Sequence, residues 1–200
     1  MRLDEIRQVY TDYAGHYEKE FIGERRYTVY KRLPRLVTRE LKSRSAKVLD
    51  LGCGTGLSSL LFFDKGYEVT GIDITRAMIR RAGELPFAKL ICQDLEKPLK
   101  VKDDYFDAVV MIGVMEHIND PAAILKEVWK KLKDGGLFAL TLPCKNAHFS
   151  EYGLKNYYKK EIEPIMREAG FKVIRSEKSF AYEDDSSTIY YWNYLLRKIP

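Results

Sequence analysis

One stretch constrains this chain more than any other: Val48-Leu49-Asp50-Leu51-Gly52-Cys53-Gly54-Thr55-Gly56-Leu57. The apolar run Val48 to Leu51 reads as a short buried strand. Three glycines follow at alternate positions, and Leu57-Ser58-Ser59-Leu60-Leu61-Phe62-Phe63 then opens a helical pattern. A strand that turns through glycines into a helix is built to meet a ligand. Glycine admits backbone angles closed to other residues, and without a Cβ it lets a ligand press on the chain. The free N–H groups at the helix start are expected to point at that ligand. Spacing narrows the choice. The dinucleotide fingerprint G-x-G-x-x-G places its third glycine where Leu57 stands, so Gly52 and Gly54 fit it and the next position does not. An acidic residue, Asp50, precedes the turn. A glycine turn that serves only as punctuation is the plain alternative.

The D-x-G-x-G-x-G arrangement of Asp50 to Gly56 resembles motif I of the class I S-adenosylmethionine-dependent methyltransferases. The resemblance implies S-adenosylmethionine as cofactor and S-adenosylhomocysteine as product, held in part by Asp50, Gly52, Cys53, Gly54 and Gly56. Two hundred residues, 46% of them hydrophobic, suit one domain with room for a lid. No run reaches the roughly 18–20 apolar residues of a membrane span. The opening Met1-Arg2-Leu3-Asp4-Glu5-Ile6-Arg7 has no signal-peptide core, so a cytoplasmic protein is expected. Cys53, Cys92 and Cys144 are far apart, which indicates neither a disulfide framework nor a zinc site.

The net charge of +5 is uneven. Residues 25–47 hold nine cations against Glu40 alone, a local +8, which leaves −3 for the rest. Such a stripe can meet nucleic acid or form a solvated helix face. Before it, Leu3, Ile6, Tyr10, Tyr13, Tyr17 and Phe21 recur at helical spacing on one aromatic face. The pattern Tyr10-x-x-x-Ala14-x-x-Tyr17-Glu18 resembles the N-terminal segment of small-molecule methyltransferases of the quinone-biosynthesis type. That implies a lid, with Tyr10 and Tyr17 over the methionine end of the cofactor. Helix is expected again over 24–44, restarted or kinked at Pro34.

A second strand, Tyr67 to Ile72, ends at Asp73. In a doubly wound sheet this position lies beside the first glycine turn, at the crevice where ligands bind. A carboxylate there can accept both hydroxyls of a ribose, with Ile74 and Met78 flanking the nucleoside. Asp73 could instead cap the helix Thr75 to Ala82, but Thr75 is itself a competent cap, which leaves Asp73 for the ribose. The third strand, Ala88 to Cys92, leads to Asp94 and Leu95, which suit an adenine edge. The fourth, Tyr105 to Ile112, is apolar on both faces, as a central parallel strand must be. Gly113-Val114-Met115-Glu116-His117-Ile118-Asn119-Asp120-Pro121 leaves its carboxyl end. Pro121 opens a helix capped by Asp120 or Asn119, which runs to Gly135-Gly136 before a fifth strand, Leu137 to Leu142. The run from Phe106 through Gly136 resembles the signature of the type 11 methyltransferase group. With motif I and Asp73 the likeness spans residues 46–145, and Gly113 joins the implied cofactor contacts.

A loop rich in aromatics, Cys144 to Tyr158, includes His148 and is expected over the crevice. A helix over Lys160–Ala169 stops at Gly170, and Phe171–Tyr182 and Ser187–Arg197 read as a hairpin. The resemblance implies a Rossmann-like, doubly wound α/β fold. Its seven-stranded sheet is mostly parallel, with an antiparallel C-terminal strand and an N-terminal helical lid. The division expected is a lid at 1–45 and a cofactor-binding unit at 46–200.

Methyl transfer from a sulfonium is an in-line displacement, so positioning and desolvation carry most of the catalysis. No metal-ligand cluster appears in the sequence. A base is needed only for a protonated acceptor. His117, after the fourth strand, and His148, in the substrate loop, are the candidates; His16 lies beside the lid face, and Glu116 reads as structural. The Asn-Pro-Pro-aromatic motif of amide and adenine-N6 methylation is absent, Val114-Met115-Glu116-His117 standing in its place. The expected reaction is methyl transfer to a small-molecule acceptor. Two alternatives stay open: an RNA or protein methyltransferase using residues 25–47, and a catalytically silent cofactor-binding subunit of a partner. A nicotinamide oxidoreductase is disfavoured by Leu57.

Overall fold

The computed structural model describes residues 3–43, 45–144, 153–184 and 187–199. Its strands are β1 (Lys47–Leu51), β2 (Glu68–Asp73), β3 (Lys89–Cys92), β4 (Phe106–Met111), β5 (Leu132–Pro143), β6 (Phe171–Asp184) and β7 (Ser187–Lys198). Its α-helices are α1 (Leu3–Tyr13), α2 (Val29–Glu40), α3 (Leu60–Asp64), α4 (Arg76–Ala82), α5 (Pro121–Lys131) and α6 (Lys159–Glu168). The strands form one seven-stranded sheet in the order β3-β2-β1-β4-β5-β7-β6. The first five pair in parallel, and β7 runs antiparallel between β5 and β6. This is the Rossmann-like, doubly wound sheet expected from the sequence, and its order reverses between β1 and β4, where a crevice opens at the carboxyl ends.

Successive side chains on a strand point to opposite faces, so unbroken apolar runs supply two cores. Leu49, Leu51, Val109, Met111, Phe138 and Leu140 meet Ile124, Leu125 and Val128 of α5 and Ile162 and Met166 of α6. Val48, Ala108, Val110 and Ala139 meet Val29, Tyr30, Leu33 and Val37 of α2 and Phe62 of α3. Helix α2 therefore belongs to the core of the sheet, and of residues 3–43 it is the segment before α2 that stands over the carboxyl ends. No helix among the described residues is long and apolar enough to cross a membrane.

Four local expectations change. Pro34 does not start a new helix; it lies buried inside α2. A proline in a helix interior costs about 3 kcal/mol, but burying Val29, Tyr30, Leu33 and Val37 returns roughly 1.5–3 kcal/mol for each large apolar side chain. Strand β5 begins at Leu132, not Leu137. Its pairing with β4 shifts between Phe106↔Leu132 and Ala108↔Leu137, so Gly135-Gly136 sit in an irregularity of the strand rather than after a helix. The N-terminal aromatic face is not one helix: α1 ends at Tyr13, and Lys19–Glu24 forms a π-helical turn in which the Arg25 N–H reaches the Glu20 carbonyl. Phe21 there stacks on Tyr17, centroids 4.5 Å apart. Thr75 stands at the N-terminus of α4 without a side-chain capping bond. The expected cap of α5 does form, the Ala123 N–H donating to Asp120 at 2.9 Å.

Candidate functional site

The crevice at the carboxyl ends holds a cavity of about 330 Å³, a volume suited to a small ligand. The glycine turn, the ends of β2 and β4, the segment after β3 and the inner face of α1 all contribute to it. Of the residues singled out in the sequence, Tyr10, Tyr17, Gly52, Gly54, Asp73, Ile74, Met78, Asp94, Leu95, Gly113 and His117 line its wall. Asp50, Cys53 and Gly56 do not. Asp50 is fully buried behind the turn, where one carboxylate oxygen accepts the hydroxyls of Ser58 at 2.6 Å and Ser59 at 2.7 Å. It ties the strand to the helix start, and burial pushes its pKa up to about 6. Cys53 borders a smaller hollow behind Tyr17, shared with Tyr27 and Tyr30. Gly56 has φ +95°, and a Cβ on it would meet Leu85 and Phe87, so its need for glycine is a matter of packing. His148 lies outside the described residues.

The turn does not present its N–H groups as a row of free donors. Gly52 and Cys53 both donate to the Ile72 carbonyl, at 2.7 and 3.1 Å, and Gly56 donates to the Cys53 carbonyl at 2.8 Å. Gly54 donates to Asp73 Oδ2 at 2.9 Å. The four glycine-turn donors named are spent inside the fold, and the helix that follows is only five residues long. A phosphate, which seeks several backbone donors at once, finds few here. The turn offers shape instead. A Cβ on Gly52 would collide with Val114, whereas a Cβ on Gly54 would meet nothing within 4 Å, so Gly54 leaves its face of the cavity open.

Asp73 is the hinge of the site. Its Oδ2 accepts from Gly54 and its Oδ1 accepts the Thr75 N–H at 2.8 Å, which locks the carboxylate between the turn and the start of α4. Each oxygen keeps a second lone pair for a ligand. Burial raises its pKa, opposed by these backbone donors. Ile74 and Met78 lie beside it, and Asp94, whose Oδ1 accepts the Glu96 N–H at 2.9 Å, closes the same end. Glu96 in turn accepts from Asn119, fastening the loop after β3 to the loop after β4. The Gly113 N–H donates to Thr141 Oγ1 at 2.7 Å, which fixes the end of β4 against β5.

The opposite end of the cavity is aromatic. His117 Nε2 lies 3.1 Å from the Tyr10 hydroxyl. Its Nδ1 is buried with no hydrogen-bond partner among the described residues. Burial depresses the His117 pKa to about 4, so the ring is neutral at pH 7 and suited to hydrogen bonding rather than to storing a proton. Burial raises the pKa of Tyr10 and Tyr17. His16 faces Glu20 at 3.6 Å, away from the cavity. Tyr27 and Tyr191 escape a reading of the sequence, and Glu116 is read there as structural. Tyr27 stands against Gly113, its hydroxyl 2.9 Å from where a Cβ would be. Glu116 is buried and accepts the Tyr191 hydroxyl at 2.6 Å. Tyr191 comes from β7, and neither it nor Tyr27 lies in a motif that could have marked it. The basic stretch is partly neutralised across the fold: Arg25 pairs with Glu20, Arg26 with Glu183 and Arg32 with Glu177.

Known proteins resemble this chain in sequence and in fold. Residues 21–176 match a family model described as a methyltransferase domain. A ubiquinone biosynthesis O-methyltransferase of Idiomarina loihiensis is 37% identical over 102 residues, 48% of this chain and 42% of that protein. Its counterpart in Xanthomonas oryzae pv. oryzae is 33% identical over 120 residues, 57% of this chain and 50% of that protein. The chain thus spans about half the length of the curated relatives it matches or less. Among solved structures, the magnesium protoporphyrin IX methyltransferase of Synechocystis with bound S-adenosylhomocysteine superposes with a TM-score of 0.76 at 16% identity, over 98% of this chain and 99% of that one. An S-adenosylmethionine-dependent methyltransferase of Methanosarcina mazei gives 0.70 at 22% identity, over 82% and 97%. At such identities the likeness is one of fold.

Proposed function

The chain belongs to the methyltransferase-domain family, and on that premise we propose that it transfers a methyl group from S-adenosylmethionine to a small-molecule acceptor. The observation that carries the reading is Asp73. A buried carboxylate at the end of β2, locked by two backbone donors with lone pairs left on the cavity side, is placed to accept a ribose diol. The residues fit the rest of the group. Ile74 and Met78 offer apolar faces to an adenosine, Asp94 and Leu95 close its base end, and the bare face of Gly54 leaves room for a ligand against the turn. Gly52 and Gly113 border the same space. The spent N–H groups suit a ligand that carries no phosphate.

When bound, S-adenosylmethionine supplies a methyl group already activated on a sulfonium. The protein's part is to orient and to dry the site. Tyr10 and Tyr17 form the lid over the reacting end, with the lid confined to the segment before α2. His117, neutral and bonded to Tyr10, holds the lid to the loop after β4. The small-molecule acceptor is supported by the partly enclosed cavity and by relatives named for ubiquinone biosynthesis. The ion pairs of Arg25, Arg26 and Arg32 reduce the cationic face on which an RNA acceptor would depend.

The test is transfer of label from methyl-labelled S-adenosylmethionine to a mixture of small metabolites, followed by mass analysis. A product heavier by one labelled methyl group that disappears in the Asp73→Asn variant is the expected result. Label appearing only on added RNA or protein would overturn the small-molecule reading.

A further inference from the structure

The inference that follows rests on the methyltransferase reading above and concerns its acceptor. Glu116 is 4% exposed. One oxygen holds the Tyr191 hydroxyl, and the other is buried with no hydrogen-bond partner among the described residues. A carboxylate buried with a lone oxygen is costly unless something completes it. Its surroundings are rings. Tyr27 and Tyr182 lie 6.1 Å apart, Tyr182 and Tyr191 6.3 Å. The charge of Glu116 bears on the hydroxyls of Tyr10 and Tyr17, which line the cavity, and of Tyr27 and Tyr191 behind it. Its neighbour in sequence, His117, lines the cavity directly, and Glu116, Tyr27, Tyr182 and Tyr191 stand one layer behind that wall.

We propose that the acceptor is an amine bound as its ammonium ion, with Glu116 as the counter-ion and the tyrosines as the cage. Aromatic faces and a buried carboxylate are the two features that recognise an ammonium. The charge balance points the same way. Asp73 is engaged by two backbone donors and Asp50 by two serine hydroxyls behind the turn. Asp50 and Glu116 each keep one oxygen with no partner among the described residues, and of these two Glu116 is the one whose charge bears on Tyr10 and Tyr17. Among the described residues, the one Lys or Arg on the cavity wall is Lys97, which adjoins Asp94 and Glu96 at the nucleoside end. A carboxylate, phosphate or phenolate acceptor would be repelled by the charge of Glu116, whereas an ammonium is drawn to it.

The step balances. The ammonium gives one proton to Glu116. The freed lone pair on nitrogen forms the N–C bond to the methyl carbon as the C–S bond breaks, its electron pair remaining on sulfur as a thioether. The methylated nitrogen then carries the positive charge that sulfur has lost.

Binding rather than turnover tests this. The protein saturated with S-adenosylhomocysteine is titrated calorimetrically with matched sets of arylalkyl and alkyl compounds, each an amine, its alcohol and its carboxylate, for example 2-phenylethylamine, 2-phenylethanol and phenylacetate. The amines are expected to bind at least tenfold more tightly than their alcohols, and the carboxylates least of all. Glu116→Gln keeps the shape and an acceptor for Tyr191; it is expected to bring amine and alcohol within twofold while S-adenosylhomocysteine binding stays unchanged. If Glu116→Gln does not fold, Glu116→Asp, which withdraws the carboxylate by one methylene, is expected to lower the preference. Alcohols or carboxylates binding as well as amines, no amine binding, or a preference that survives at Glu116 would overturn the proposal. Absence of S-adenosylhomocysteine binding would instead overturn the cofactor reading on which it rests.

Discussion

Two ends of the same sheet bury charge in opposite ways. At the base, before β4 and at the end of β7, the buried charges are cations with partners. Lys131 pairs with Asp103 at 2.6 Å and Glu127 at 3.1 Å. Lys198 pairs with Asp104 at 2.8 Å, donates to the Leu132 carbonyl at 2.8 Å and lies 4.0 Å from the Trp129 ring centroid. At the carboxyl end the buried charges are the acids Asp50, Asp73 and Glu116, and none forms an ion pair among the described residues. Hydroxyls and backbone N–H groups hold them, and Asp50 and Glu116 each keep one oxygen with no such partner. Paired burial serves folding. Buried acids of one sign without ion pairs, beside a cavity, mark a candidate functional site.

The largest effect should come from the paired end. Lys198→Ala removes a buried cation, its ring contact and a donor to Leu132. Since Asp104 and Asp134 are exposed and resolvate, a loss of about 2–4 kcal/mol is expected rather than more. Urea denaturation measures it, and S-adenosylhomocysteine affinity should move less than twofold. A large change in affinity would break the division of labour between the two ends.

The unpaired end should show itself in pH. Asp50 has its folded pKa raised to about 6, above its unfolded value, so the folded state takes the proton first and stability rises as pH falls from about 6 toward 4. His117 has its folded pKa lowered to about 4, below its unfolded value near 6.5, so the unfolded state takes the proton first and stability falls over nearly the same window. Each slope approaches about 1.4 kcal/mol per pH unit. The two oppose one another. Asp50→Asn should therefore lose stability on acidification relative to the native chain, and His117→Gln should gain it. Urea midpoints at pH 7 and pH 4.5 check both signs, and parallel profiles for all three proteins would contradict the assigned burial.

The smallest effect is expected at the basic stretch. Arg32 and Glu177 pair at 2.6 Å, but Arg32 is half exposed, and such pairs contribute about 0–1 kcal/mol. Arg32→Ala should shift the urea midpoint little and leave cofactor binding unchanged. A loss of S-adenosylhomocysteine affinity would tie this face to the site after all.

The sequence was most legible where local chemistry decides the outcome. Apolar runs gave the parallel strands, Asp120-Pro121 gave the start of α5, and Gly66 and Gly170, both at positive φ, closed the helices before them. Asp73 was placed because the end of β2 must lie beside the glycine turn. Other features depend on distant parts of the chain. The turn's N–H groups are spent on Ile72 and Asp73, which only the alignment of β2 with β1 reveals. Asp50 serves Ser58 and Ser59 because the turn folds them back onto it. Strand β5 starts five residues earlier than its glycines suggest, because pairing with β4 resumes across them. Tyr191 reaches Glu116 from 75 positions away, and no spacing announces such a contact.

The central claim is that the cavity beside Asp73 binds an S-adenosyl ligand. Calorimetric titration with S-adenosylhomocysteine, on the native chain and on Asp73→Asn, tests it most directly. The account predicts one site of micromolar affinity in the native chain. Charge-assisted hydrogen bonds are worth roughly 1.5–3 kcal/mol, so Asp73→Asn should weaken binding about 10–100-fold while its thermal unfolding stays cooperative. A folded native protein, free of carried-over ligand, that gives no heat of binding would contradict the account, and so would equal affinity in the two proteins.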